Sequence, residues 1–215
     1  MKVNREMIVR AALRQLDDIG LEALTLRKLA SALGIQAPTL YWHFKSKESL
    51  IDDMATLVLM EGAADLTPAQ ETAEWTADWT VWVTTFGHGL RKTLLRYRDG
   101  GRMIAGTRLT NTTFQETAER VGSRLVEAGL SARQAIVLLS AVYTFTVSFV
   151  IEEQAVFPVP GQRSSAYDIE ERNTKLDPAK FPLLRQAGSV LFDEFDRRYR
   201  ESLELMLRGA AAELV

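Results

Sequence analysis

The side chains best suited to chemistry gather in one stretch, residues 26–44, LRKLASALGIQAPTLYWHF. Arg27 and Lys28 stand near its start, and Gln36, Thr39, Tyr41 and His43 follow. Arginine can make a paired contact to guanine, glutamine suits adenine, and a threonine methyl can meet that of thymine. Tyr41, with Lys45 and Lys47 just beyond, suits phosphate oxygens, which position a protein without reading sequence. Recognition of a duplex is therefore the chemistry on offer. Catalytic groups are scarce by comparison. The chain has two histidines, His43 and His88, and no cysteine, so neither a thiolate zinc cluster nor a disulfide can form. No serine stands in a G-x-S-x-G turn. Asp52-Asp53 and Glu152-Glu153 are adjacent pairs, which on a helix point to different faces instead of flanking one substrate. Glu170-Glu171-Arg172 reads as a solvated charge run. The chain is expected to have no catalytic residue, metal or cofactor.

Those recognition groups need a frame, and the apolar spacing supplies one. Leu26, Leu29, Ala30 and Leu33 fall at i, i+3, i+4 and i+7, one stripe of a short helix. Gly34 then stands where a left-handed C-terminal cap needs a residue without a side chain. Pro38 suits the first turn of a second helix, whose apolar side continues through Leu40 and Phe44. Two short helices on a glycine turn describe a helix-turn-helix, whose second member can enter a major groove. By spacing alone, an ordinary hairpin in an all-α core reads equally well. Ahead of the pair, Asn4 is an N-cap for a helix striped by Ile8, Ala11, Ala12, Leu16 and Ile19 and ended by Gly20.

The particular residues go further than the spacing. With TLRKLA, the LG turn and PTLYWHFKSKESL in this order, the head resembles the TetR/AcrR family of transcriptional regulators. RDGGRMIAGTR at residues 98–108 and LLSAVYTFTVSFVIEEQ at residues 138–154 are similar to parts of the tetracycline repressors' C-terminal domain. The resemblance implies an all-α fold, with a helix-turn-helix DNA-binding domain at residues 1–47 and a helical ligand-binding and dimerisation domain at residues 48–215. It implies a homodimer that holds a palindromic operator in double-stranded DNA and leaves it when a small-molecule effector binds. Arg27 and Thr39 match base-contact positions of the family, and Tyr41, His43 and Lys47 match backbone-contact ones. Ala37 stands where tetracycline repressors carry a polar base-reading residue, so the operator should differ. For Trp42, packing between the helices is expected.

Composition agrees with contact to phosphates at one end only. The 215 residues are 47% hydrophobic and 25% charged, with a net charge of −2, as in a soluble globular protein. Residues 1–50 hold eight Lys or Arg against five acids, whereas the remainder holds 18 against 23. A mildly basic head on an acidic body suits this reading. No basic-then-apolar leader opens the chain, so the cytoplasm is the expected location.

Beyond the head, Ser46 opens a helix through Leu50, Met54, Leu57 and Val58, the natural connector to the body. Residues 62–72, with Pro68, read as a loop. A helix over residues 73–98 then carries Trp75, Trp79, Trp82, Phe86 and Leu90 on one stripe, which serves as core, as a ligand wall, or as both. The glycine-rich 98–108 reads as a broken helix or turn, and 111–128 as a helix closed by Gly129. Residues 132–154 approach a membrane span in length. Ser140, Thr144, Thr146 and Ser148 interrupt them, so a helix buried on every side, or partly by a twofold mate, is expected, and no membrane. Residues 157–165 form a loop, 167–175 a short helix, and 181–208 a final helix with Leu184, Ala187, Leu191 and Phe195 on one face.

The resemblance departs most in the ligand pocket. In tetracycline repressors a histidine in the segment matching MIAGTR coordinates the drug's magnesium ion; that position is Ile104, which cannot ligate a metal. A second family histidine appears as Ala63, a third as Thr144, and a polar drug contact as Phe86, whereas a supporting glutamate is kept at Glu152. The expected effector is accordingly largely apolar, aromatic or polycyclic, and independent of magnesium. Trp82, Phe86, Leu90, Ile104 and Val147 would enclose it, with Thr107, Arg108, Tyr143, Thr144 and Glu152 as the polar or charged residues of the site. Two alternatives stay open: a pocket filled by side chains, and a helical small-molecule carrier without DNA activity.

Overall fold

Side-chain caps open the first two helices of the head. The structure, a computed structural model, describes residues 3–72, 78–109 and 112–213. Asn4 accepts the Met7 amide at 2.8 Å and starts α1 (Arg5–Ala23). Thr25 accepts the Lys28 amide at 3.2 Å and starts α2 (Leu26–Ala32). The third helix, α3 (Ala37–His43), begins around Pro38 with no side-chain cap. Between them Gly34 takes φ 64. Its N–H meets the Ser31 carbonyl at 3.1 Å, and the Ile35 N–H meets that of Ala30 at 3.0 Å. This bond pair closes a helix on a left-handed residue, so the turn is built as the spacing predicts. Gly20 differs from expectation: at φ 77 it kinks α1, which resumes as far as Ala23.

α4 (Lys47–Thr72) belongs to both halves. Leu50 and Met54 are fully buried with Ile8, Leu16, Leu29, Leu40 and Phe44. The same apolar cluster runs on into the body through Leu59, Leu90, Leu94, Met103, Ile104 and Val150. The expected loop at 62–72 is corrected here, because α4 continues to Thr72. Gly62 is a crossing point instead of a breaker: a Cβ there would lie 2.5 Å from Thr93 Oγ1. Its missing side chain lets α4 approach α5 (Trp79–Leu94), which Asp78 caps. Trp75, and the expected start of that helix at residue 73, lie outside the described residues.

The body is completed by α6 (Gly100–Ile104), α7 (Thr112–Glu127), α8 (Ala132–Val156), α9 (Ile169–Thr174), α10 (Pro182–Phe192) and α11 (Phe195–Glu213). Asn111, the expected start of α7, lies outside the described residues; Gly129 at φ 103 follows the helix. Ser131 and Gln134 form a reciprocal cap on α8. By length and composition α8 could cross a membrane, yet it packs on α5, α6, α7 and α11. It is not enclosed on every side, however, since Ile136 is 67% exposed and Val137, Thr144 and Ser148 also face outward. The single helix expected over 181–208 is two. Arg163 donates to the Phe192 carbonyl at 3.0 Å and pairs with Asp193 at the break. Among the described residues all regular structure is helical.

Candidate functional site

Burial of Leu40 and Phe44 fixes which side of α3 faces out. Arg27, Lys28, Gln36, Thr39 and Tyr41 are exposed, while Ala37, His43 and Lys47 are half-buried. The outward set is therefore open to solvent. Lys47 has a second duty: its Nζ donates to the Leu21 carbonyl at 2.6 Å, capping the end of α1. Trp42 corrects the sequence reading. It is 82% exposed instead of packed between helices, with the Lys45 ammonium 5.8 Å from its ring centre. Two residues from both Leu40 and Phe44, it falls on the opposite side of α3, so the spacing already placed it outward.

Arg5 was not legible as a functional residue. Its Nε and Nη2 reach both oxygens of Asp53 on α4, at 2.5 and 3.1 Å, and its Nη1 donates to the His43 carbonyl at 2.6 Å. The guanidinium also lies 4.3 Å from the Phe44 ring centre. One cation thus holds the C-terminal end of α3 against α4, where the helix dipole favours it.

A polar seam joins head to body. The Arg98 amide donates to Asp17 at 2.9 Å, and Arg98 Nη1 to the Asp18 carbonyl at 3.2 Å. Arg102 pairs with Glu22 at 2.7 Å and lowers the pKa of that carboxyl. Burial acts oppositely on Asp17, raising its pKa. On the body side, Gln154 accepts the Gly101 amide and donates to the Tyr97 carbonyl. A Cβ on Gly100 would stand 2.0 Å from the Leu94 carbonyl oxygen, so glycine is required for α6 to turn back so tightly.

A cavity of about 330 Å³ opens between α4, α5, α7 and α8. Leu59, Gly62 and Ala63 form one wall; Trp82, Phe86, Gly89, Leu90 and Thr93 form a second. Phe114, Thr117, Ala118, Arg120, Val121 and Arg124 form the third, and Leu139, Ser140 and Tyr143 the fourth. The Trp82 and Phe86 rings lie parallel within 5°, their centres 5.9 Å apart. Burial raises the Tyr143 phenol pKa, keeping it a neutral donor.

Of the residues expected here, Trp82, Phe86, Leu90 and Tyr143 line the cavity together. Six others stand elsewhere. Ile104 and Val147 are buried in the apolar cluster that joins the halves. Thr107 bonds back to the Ile104 carbonyl, and the Arg108 amide and guanidinium both engage Asp52. Thr144 is exposed, one residue and so about 100° around α8 from Tyr143. Glu152 is exposed, 3.8 Å from Arg198. The α7 wall went unread, although Phe114, Thr117, Val121 and Leu125 recur at helical spacing. A magnesium ion does not fit these residues. Ile104 offers a fully buried aliphatic chain, and among the described residues no group of three His, Cys, Asp or Glu could hold a metal.

Residues 8–54 match the family described as bacterial regulatory proteins, tetR family, and residues 67–214 match the tetracyclin repressor-like C-terminal domain. The chain is similar to the tetracycline repressor protein class A from transposon 1721 of Escherichia coli, with 35% identity over 212 residues, 98% of this chain and 91% of that protein. Its fold is similar to that of a possible TetR family transcriptional regulator from Streptomyces coelicolor A3(2), at TM-score 0.81 and 31% identity over 97% and 99% of the two chains. The ActR protein of Streptomyces coelicolor, in complex with actinorhodin, is equally similar in fold, at TM-score 0.81 and 25% identity over 100% and 99%.

Proposed function

This chain belongs to the tetR family of bacterial regulatory proteins, ligand-responsive transcriptional repressors, and from that premise we propose how it acts. As a cytoplasmic homodimer it holds a palindromic operator through two copies of α3, about 34–36 Å apart. Arg27, Gln36, Ala37 and Thr39 read bases; Lys28, Tyr41, His43 and Lys47 face the sugar–phosphate backbone. An apolar aromatic effector, needing no magnesium, occupies the cavity and releases the DNA.

One observation carries this reading: the cavity wall and the support of the reading helix are one packed body. Leu59 and Leu90 line the cavity, and both belong to the cluster that holds Leu40 and Phe44. Such cores are bistable in preference to being soft, so an effector that reshapes the wall biases the heads. DNA and effector then weaken each other by the same factor. Ala63 and Phe86, at positions where the resemblance places a second family histidine and a polar drug contact, both line the cavity. The similar ActR structure holds actinorhodin. Apolar residues left uncovered on α8 (Ile136, Val137) and α10 (Leu183, Leu184, Val190, Leu191) support dimerisation, since patches of this kind mark association surfaces. A carrier without DNA activity would have no use for the exposed face of α3.

The test is titration of the purified protein onto duplex DNA from its own upstream region. Two protomers should bind per site, with log K falling linearly against log salt concentration. Absence of binding at low salt, or binding as a monomer, overturns the reading.

A further inference from the structure

We propose that Arg102 screens bound DNA from Glu22. Through this one guanidinium the body decides whether the head presents a neutral pair or a bare carboxylate beside its phosphate contact. The inference rests on the DNA-binding reading above, in which Lys47 faces the sugar–phosphate backbone. Glu22 lies in the last turn of α1, next to that lysine. Lys47 Nζ donates to the Leu21 carbonyl at 2.6 Å and reaches the Glu22 carbonyl at 3.4 Å. An ammonium held by two carbonyls keeps a third N–H for a phosphate oxygen. A phosphate seated there stands within about 10 Å of the Glu22 carboxylate, one Debye length at ordinary salt.

Arg102 Nη2 meets Glu22 Oε1 at 2.7 Å, and its Nη1 lies 3.6 Å from Asp99 Oδ1. The Glu22 side chain is 81% exposed, so the pair adds little to stability, while its charge is felt outside the protein. Arg102 chiefly, and Lys47 in addition, lower the Glu22 pKa, so the group is anionic at neutral pH. The two partners belong to different halves: Glu22 to α1 of the head, Arg102 to α6 of the body. Met103 and Ile104, which follow Arg102, are fully buried in the cluster that contains Leu90, a cavity-wall residue. A shift of α6 that parts the pair leaves Glu22 bare beside Lys47, where it competes with phosphate for the ammonium and repels the DNA. Arg102 is therefore a positioning residue for operator binding, acting through Glu22.

The experiment titrates the full-length protein and three variants onto duplex DNA from its own upstream region, at low and at high salt. Arg102→Gln should weaken binding about fourfold at low salt, roughly twofold for each of two heads, the effect in water of a bare carboxylate about 10 Å from a phosphate. High salt should remove the difference. Arg102→Lys keeps the charge and should retain most of the affinity. Adding Glu22→Gln to Arg102→Gln should restore parental binding, because no carboxylate is left to screen. Circular dichroism should be the same in every variant. Equal weakness of Arg102→Gln and the double variant overturns the inference, because Arg102 would then touch DNA itself or act through packing. Parental affinity in Arg102→Gln also overturns it, and leaves the DNA-binding reading standing. Failure of the parent to bind removes that reading, and the inference with it.

Discussion

The Asp99 carboxylate accepts the Leu21 amide at 2.8 Å, tying the turn before α6 to the last turn of α1 across 78 positions of chain. Asp99 also has φ 55, the one positive value at a non-glycine among the described residues. Bond and backbone can be separated by substitution. Asn keeps an acceptor and tolerates the left-handed region; Gly tolerates the region alone; Ala does neither. Relative to the parent, Asp99→Gly should cost about 1 kcal/mol for the bond. Asp99→Ala should cost about 1 kcal/mol more for the strain, and Asp99→Asn the least. Urea midpoints at one fixed protein concentration give the order. Equal losses in Gly and Ala would show that the backbone conformation contributes nothing.

Arg5 holds α3 to α4 without belonging to the reading face. Because its ion pair with Asp53 is half exposed, Arg5→Ala should change stability by no more than about 1 kcal/mol. Operator affinity should nevertheless fall about tenfold, roughly 1.4 kcal/mol, as the His43 carbonyl loses its donor and α3 can pivot. Arg5→Lys should recover part of this, keeping the charge but not the fork. The salt slope of operator binding separates two roles: it should not change for a positioning residue, whereas loss of a phosphate contact lowers it by about one.

The head was legible because local chemistry decides it. Glycine at φ 64, a proline in the first turn and a four-residue apolar stripe each permit few alternatives. The body was less so, because its outcomes depend on what a residue meets across the fold. Gly62 and Pro68 signal a loop locally, yet helix crossing at Thr93 makes Gly62 a contact. Residues 181–208 keep helical spacing through Asp193, while a cation 30 positions away, Arg163, marks the break. In the cavity the aromatic stripe of α5 was readable, but the contribution of α7 needed its placement over Trp82 and Phe86.

Gly62 permits the α4–α5 approach that forms one corner of the cavity. A methyl group there would meet Thr93 Oγ1 at 2.5 Å and Cγ2 at 2.7 Å, closer than any van der Waals contact. Gly62→Ala should therefore destabilise by about 1–3 kcal/mol, the usual range for overpacking. Thr93→Ala removes the two nearest atoms and leaves the Cβ at 3.0 Å, so the double variant should recover part of the loss. A double-mutant cycle of chemical denaturation measures the coupling. Additive losses would place the strain somewhere other than this pair.

Stability of the body is expected to fall with acid through His88. Its ring stands edge-on to Tyr199, with centres 5.2 Å apart. Burial first, and then the charges of Arg91 and Arg200, lower its pKa from the ordinary 6.5, with Asp196 opposing. In the unfolded chain the imidazole takes up a proton near pH 6.5. Between that pH and the lower folded value the unfolded state binds more protons, so stability falls as the solution is acidified. Above pH 6.5 both states are neutral here, and the contribution is complete. His88→Gln removes the titration while keeping a polar group of similar size. Its unfolding midpoint should change between pH 8 and pH 5.5 by less than that of the parent, a range chosen to stay above most carboxylate titrations. Identical losses in the two proteins would mean that the acid response arises at another group.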